Sequence, residues 1–116
     1  MEALQFKLQV FEGPLDLLLH LIAKHKLDIG DIEISLLLEQ YLDYIAQMKD
    51  ADLEIATEFL AMAARLVYIK TAALLPRHEE ESEKLREELS GQLIEYQLCK
   101  AIAGRMRTMY RDGVFV

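Results

Sequence analysis

EIATEFLAMAARLVYIKTAALL, residues 54–75, is the stretch on which the fold turns, and Pro76 stops it. Ile55, Phe59, Met62, Leu66, Ile69 and Ala73 follow one another by four, three, four, three and four residues, so a helix places them along one apolar seam. Ala56, Leu60, Ala63, Val67 and Leu74 form a second seam one position further round, interrupted only by Lys70. Over a length of about 33 Å at the usual helical rise, only Glu54, Glu58, Arg65 and Lys70 carry charge. One contact does not need so wide an apolar surface. The helix is therefore predicted to be central to its own fold, shared with a partner, or both.

Upstream of this stretch, Asp50 and Asp52 offer capping acceptors for its start. A preceding helix is predicted from about Glu33 to Met48, with Leu37, Leu38, Tyr41, Leu42 and Ile45 inward and Glu39, Gln40, Asp43 and Gln47 toward water. LDIGDIEI, residues 27–34, reads as a connector whose Leu27, Ile29, Ile32 and Ile34 tuck onto the core. Before it, Gly13 and Pro14 open a helix running to about His25: proline loses no donor at the first helical position, and Asp16 faces the positive end of the helix dipole. Leu15, Leu17, Leu18, Leu19, Leu21 and Ile22 make that helix apolar nearly all round, which predicts burial between neighbours. Leu4, Phe6, Leu8 and Val10 alternate with Gln5, Lys7 and Gln9, the period of a short β-strand. Its pairing partner stays open between 32–34, 114–116 and another chain.

Downstream, RHEEESEK at 77–84 has almost nothing to bury and reads as a solvated acidic hinge. A last helix follows from Leu85 to about Arg111, on an apolar face that drifts round the axis, and Gly91 and Gly104 each cost it about 1 kcal/mol relative to alanine. Asp112 and Gly113 end it, and the apolar Val114, Phe115 and Val116 read as a cut end. The expected fold class is all-α: a small bundle of about four helices with a short N-terminal β-strand.

The 116 residues suit one small domain, and 53% hydrophobic with 28% charged residues is the composition of a folded chain. The net charge is −7, and the acid excess lies in residues 1–84, which repels phosphate backbones, so a nucleic-acid contact would have to use the last helix. Cys99 is the only cysteine, which excludes an internal disulfide and a cysteine-based zinc site and fits a reducing cytoplasm. No leader pattern and no uninterrupted apolar span is present in the sequence, and a cytoplasmic location is expected.

No site chemistry stands out. His20 and His25 are five apart and do not stack on one helix face, and Asp28, Asp31 and Glu33 lack the rest of a calcium loop. No glycine-rich phosphate loop, carboxylate pair or serine with a histidine base is recognisable. The expectation is no catalytic residues, no metal, no cofactor and no enzyme. Lys100, Arg105, Arg107 and Arg111 form a basic run, read as cations at a helix C-terminus and, second, as a phosphate-contacting patch. Cys99 reads as a small packed residue.

FEGPLDLLLHLI at 11–22, LDIGDIEI at 27–34, EQYLDYI at 39–45, IATEFLAMAARLVYIKTAALLP at 55–76 and LIEYQLCKAIAGRM at 93–106 together resemble the N-terminal region of bacterial segregation and condensation protein A. The likeness covers nearly the whole chain, with a shorter hinge after Pro76 and with Ala61, Ala72 and Ala73 where the family usually has larger side chains. It implies a kleisin, a bridging subunit whose N-terminal domain binds the coiled-coil neck of an SMC ATPase. A C-terminal winged helix binds the other head, and a dimer of segregation and condensation protein B holds the middle segment. The implied layout is a neck-binding helical domain at 1–76, an acidic hinge at 77–84, and at 85–116 a long helix leading into the central partner-binding segment, with no winged helix in this chain.

A coiled-coil neck offers apolar positions that a helix with its own four-three repeat can join. Burying about five large side chains there yields roughly 7 to 15 kcal/mol gross. Ile55, Phe59, Met62, Leu66 and Ile69, with Lys70 beside them, are expected to face the neck while Leu60, Ala63, Val67 and Leu74 face the domain, the reverse assignment remaining open. DNA would be met only indirectly, through the complex. An uncovered neck-binding seam, a strand edge and an apolar end predict that the isolated chain self-associates. The alternative function is a small helical nucleic-acid-binding regulator using the basic last helix.

Overall fold

Gly13 and Pro14 open the first helix in the computed structural model, which describes residues 11–52 and 54–111. Four helices occupy these residues: α1 Pro14–Lys24, α2 Ile34–Asp50, α3 Thr57–Leu74 and α4 Glu79–Arg111. The described residues contain no strand. The strand expected at 4–10 and the apolar end at 114–116 lie outside them.

α1 ends in a hydrogen-bonded reversal. Lys26 adopts φ 55°, the Leu27 amide donates to the Ile22 carbonyl at 2.9 Å and the Lys26 amide to Ala23 at 3.3 Å. These two bonds satisfy carbonyls that the helix end leaves free, with a lysine in the left-handed position that glycine usually takes. The chain then runs irregularly through 27–33, shaped by an Asx turn in which the Gly30 amide donates to Asp28 Oδ1 at 2.9 Å. Ile32 is buried, and Leu27 and Ile29 are half-buried against the core, as the connector pattern predicts.

α2 turns Leu37, Leu38, Tyr41 and Ile45 inward, but Leu42, expected with them, points outward. The Tyr41 hydroxyl, fully buried, donates to the Phe59 carbonyl at 2.8 Å and so ties α2 to the first turn of α3. Burial alone pushes its pKa far above the ordinary phenol value.

The start and end of α3 are set by different physics. Asp50 and Asp52 do not cap it: Asp50 is the last residue of α2, Asp52 sits in the left-handed reversal that ends α2 (φ 63°), and α3 begins only after an extended Ala56. Its far end is where proline demands: Leu75 is extended at φ −92°, ψ 134°, immediately before Pro76.

The acidic run expected as a hinge is largely helical. Glu79 to Lys84 are helical and form the first turns of α4. Glu79, Glu80 and Glu81 stand at the positive end of the helix dipole, where carboxylates favour the helix. Ser82 is buried and donates to the Ile69 carbonyl at 3.1 Å. Further along, Leu89 and Leu93 are buried in the same core as Leu17, Leu18, Leu37 and Leu66. Arg86 reaches Asp31 at 2.7 Å and the Ile32 carbonyl at 3.1 Å, and Ser90 bonds the Ile29 carbonyl, so α4 also fastens the connector.

Candidate partner-docking surface

The two seams of α3 are sorted by the core. Phe59, Met62, Leu66 and Ile69 are all buried, Ile55 is half-buried, and Lys70 is partly buried beside a groove lined by Ile34, Leu74 and Arg86. The seam expected to face outward is thus the one the chain buries itself. Its large side chains remove more apolar area from water than the alanine-rich second seam could, and α1, α2 and α4 close over it.

What remains outside is a stripe made of Leu60, Ala64, Val67, Thr71 and Leu74, again at four-three-four-three spacing. Leu60 is 51% exposed, Val67 44% and Leu74 74%. No charged residue interrupts it along its length. Ala63, expected in this seam, is half-buried, while Ala64 and Thr71, outside the seam that periodicity defines, complete it. Their signal is visible only after the buried seam is subtracted, because neither side chain is apolar and large. Leu36 and Leu42 on α2 add a smaller exposed patch beyond Lys70.

The other edge of α3 is polar. Tyr68 donates to Glu81 at 2.8 Å, and His78 lies 3.0 Å from the same carboxylate. Glu81 is held below its ordinary pKa first by the Tyr68 hydrogen bond and then by His78. Across the molecule, the N-terminus of α1 meets α4: the Tyr96 hydroxyl donates to Glu12 at 2.9 Å and the Lys100 ammonium to Asp16 at 2.8 Å. Burial, followed by the Glu12 bond, pushes the Tyr96 phenol up to about 12. Burial would raise the Asp16 carboxyl, but the Lys100 hydrogen bond, the Glu12 amide and the charges of Lys100 and His20 together hold it below its usual range.

Lys100, Arg107 and Arg111 share one side of α4, but the Lys100 ammonium is engaged by Asp16, and Arg105, two positions from Arg107, leaves the helix on nearly the opposite side. Cys99, expected to pack, is exposed. Among the described residues no group of three or more histidines, cysteines or carboxylates is placed to hold a metal, and no helix is long and apolar enough to cross a membrane.

Residues 21–112 match the family model described as Segregation and condensation protein ScpA. The chain belongs to the segregation and condensation protein A family. It is 54% identical over 103 residues to the member from Caldanaerobacter subterraneus subsp. tengcongensis, covering 84% of this chain and 42% of that protein. It is 46% identical over 114 residues to the member from Thermoanaerobacter sp. (strain X514), covering 92% and 47%, and 44% identical over 110 residues to that of Bacillus cereus (strain AH187), covering 88% and 44%. The chain thus spans less than half the length of these relatives. The segments carrying the resemblance touch in space: FEGPLD supplies Glu12 and Asp16, and EYQLCK supplies Tyr96 and Lys100.

Proposed function

We propose that this chain is the SMC-binding half of a non-catalytic kleisin adaptor, and that the outer stripe of α3 docks on the coiled-coil neck of an SMC ATPase. The observation that carries the reading is an exposed, uncharged four-three stripe, Leu60, Ala64, Val67, Thr71 and Leu74, on a member of this family. That spacing lets a helix join a coiled coil as an added strand. Scaled to the area they still expose, Leu60, Val67 and Leu74 together offer about 2.5 to 5 kcal/mol of gross burial before association costs. In this reading the neck contact belongs to residues 1–76, and the stretch from 85 onward leads toward a central segment held by segregation and condensation protein B. The complex acts in the cytoplasm on the chromosome, and this chain meets DNA only through it. The nucleic-acid regulator is not favoured, since the chain carries a net charge of −7 and Lys100 of its basic run is already paired with Asp16.

Capture by an SMC head-plus-neck fragment tests the proposal. The parent chain is expected to bind, and Leu60→Asp with Val67→Asp to abolish capture while the fold survives. No binding by the folded parent, or equal binding by the double variant, overturns it.

A further inference from the structure

The outer face of α4, opposite the bundle, carries a second pattern. Glu87, Gly91, Ile94, Leu98, Ala101 and Arg105 are all exposed and follow one another by four, three, four, three and four residues. The order reads the same from both ends in chemical complement: acid, small, large apolar, large apolar, small, base. Turned end for end about residue 96, the helix sets Ile94 against Leu98, Gly91 against Ala101 and Glu87 against Arg105, each twice. These are the facing layers of an antiparallel two-helix contact, and a two-fold axis through residue 96 generates them.

Two further observations point to a partner helix on this face. Gly91 lies mid-helix, where glycine costs about 1 kcal/mol relative to alanine, and a Cβ placed there would have nothing within 4 Å. The chain's own packing therefore does not require the glycine, whereas a second backbone approaching closely at Ala101 does. Glu87 and Arg105 make no ion pair among the described residues. Eighteen positions separate them, about 27 Å along one helix, so neither can serve the other within one copy.

We infer that the outer face of α4 is a homodimer interface, in which α4 pairs antiparallel with α4 of a second copy through Ile94 and Leu98 and is closed at each end by Glu87 against Arg105. This surface is separate from the α3 stripe and does not depend on the neck-binding reading.

Charge reversal on the intact chain tests it, with mass followed by sedimentation equilibrium over a concentration series. The parent should move from monomer to dimer. Glu87→Arg alone opposes arginine to arginine at both ends, and Arg105→Glu alone opposes glutamate to glutamate, so each should weaken the dimer at least about tenfold. Mixing the two variants restores both end pairs in a heterodimer, and association should return. A parent monomeric throughout, single reversals without effect, or a mixture no tighter than either variant overturns the proposal. So does a dimer lost instead in Leu60→Asp with Val67→Asp, which would place the contact on α3. Both reversed positions are exposed, and unchanged thermal melting of each variant separates lost pairing from lost folding.

Discussion

Along α3 the exposed stripe is neutral from Leu60 to Leu74, whereas along α4 the same four-three spacing runs from an acid, Glu87, through Ile94 and Leu98 to a base, Arg105. Equal spacing thus accompanies unequal instructions. An uncharged stripe sets no direction for the helix it meets and leaves selection to shape, while charges of opposite sign at two ends admit one orientation and penalise the other. The α3 contact should accordingly be nearly indifferent to salt, and the α4 contact should loosen as salt screens its end pairs. The first surface suits a foreign coil whose own sequence supplies the register. The second suits a copy of itself.

The largest effect expected from breaking this comparison lies on the hidden side of α3. Leu66→Ala should cost about 2 to 5 kcal/mol in denaturant unfolding, because Leu66 is fully buried. Its neighbour Val67→Ala should stay within about 0.5 kcal/mol. Similar losses at both would mean that the two seams are not sorted as described. Next comes the outer stripe: Leu60→Asp with Val67→Asp should lower SMC-neck affinity about a hundredfold, roughly 2.7 kcal/mol, without altering self-association. A smaller effect, of opposite signs in two assays, is expected on α4. Gly91→Gln should raise the folding stability of the monomer by about 0.5 to 1 kcal/mol, since the site is open and the helix gains a better former. The same change should weaken the dimer by blocking close approach, and a variant that is both more stable and as tightly paired would contradict the packing proposed there.

Periodicity located all four helices and both seams of α3, because the four-three repeat of large apolar residues is a local signal. It did not say which seam turns inward. That choice depends on how α1, α2 and α4 close, and here they cover the seam carrying Phe59, Met62 and Leu66. The acidic run at 77–84 reads as a hinge from sequence because its glutamates leave almost nothing to bury. Its helix is specified by glutamates at a dipole end and by Ser82 reaching the Ile69 carbonyl, a contact between residues thirteen positions apart. Leu42 and Cys99 show the converse: each lies on an apolar stretch, yet the folded chain leaves both exposed. The tie between FEGPLD and EYQLCK was also out of reach of spacing, since 84 positions separate Asp16 from Lys100.

That tie gives the smallest predicted effect, and pH isolates it. Asp16 is held below the ordinary carboxylate range in the folded chain, with Lys100 and the Glu12 amide outweighing the cost of burial. A depressed folded pKa means that the unfolded chain binds the proton more readily. The contribution is therefore complete above the unfolded aspartate value of about 3.9 and is lost as pH falls through the folded value. Because Lys100 is nearly half exposed, the contribution should be under about 1 kcal/mol and smaller still at high salt. Asp16→Asn should flatten the acid limb of a stability titration below about pH 4 and leave neck capture unchanged. Lys100→Met should instead leave burial of Asp16 poorly opposed, so that its carboxyl titrates at higher pH than in the parent. Carboxyl chemical shifts followed by NMR distinguish these outcomes, and an Asp16 resonance that titrates identically with and without Lys100 would show that the tie does not hold this corner of α1 to α4.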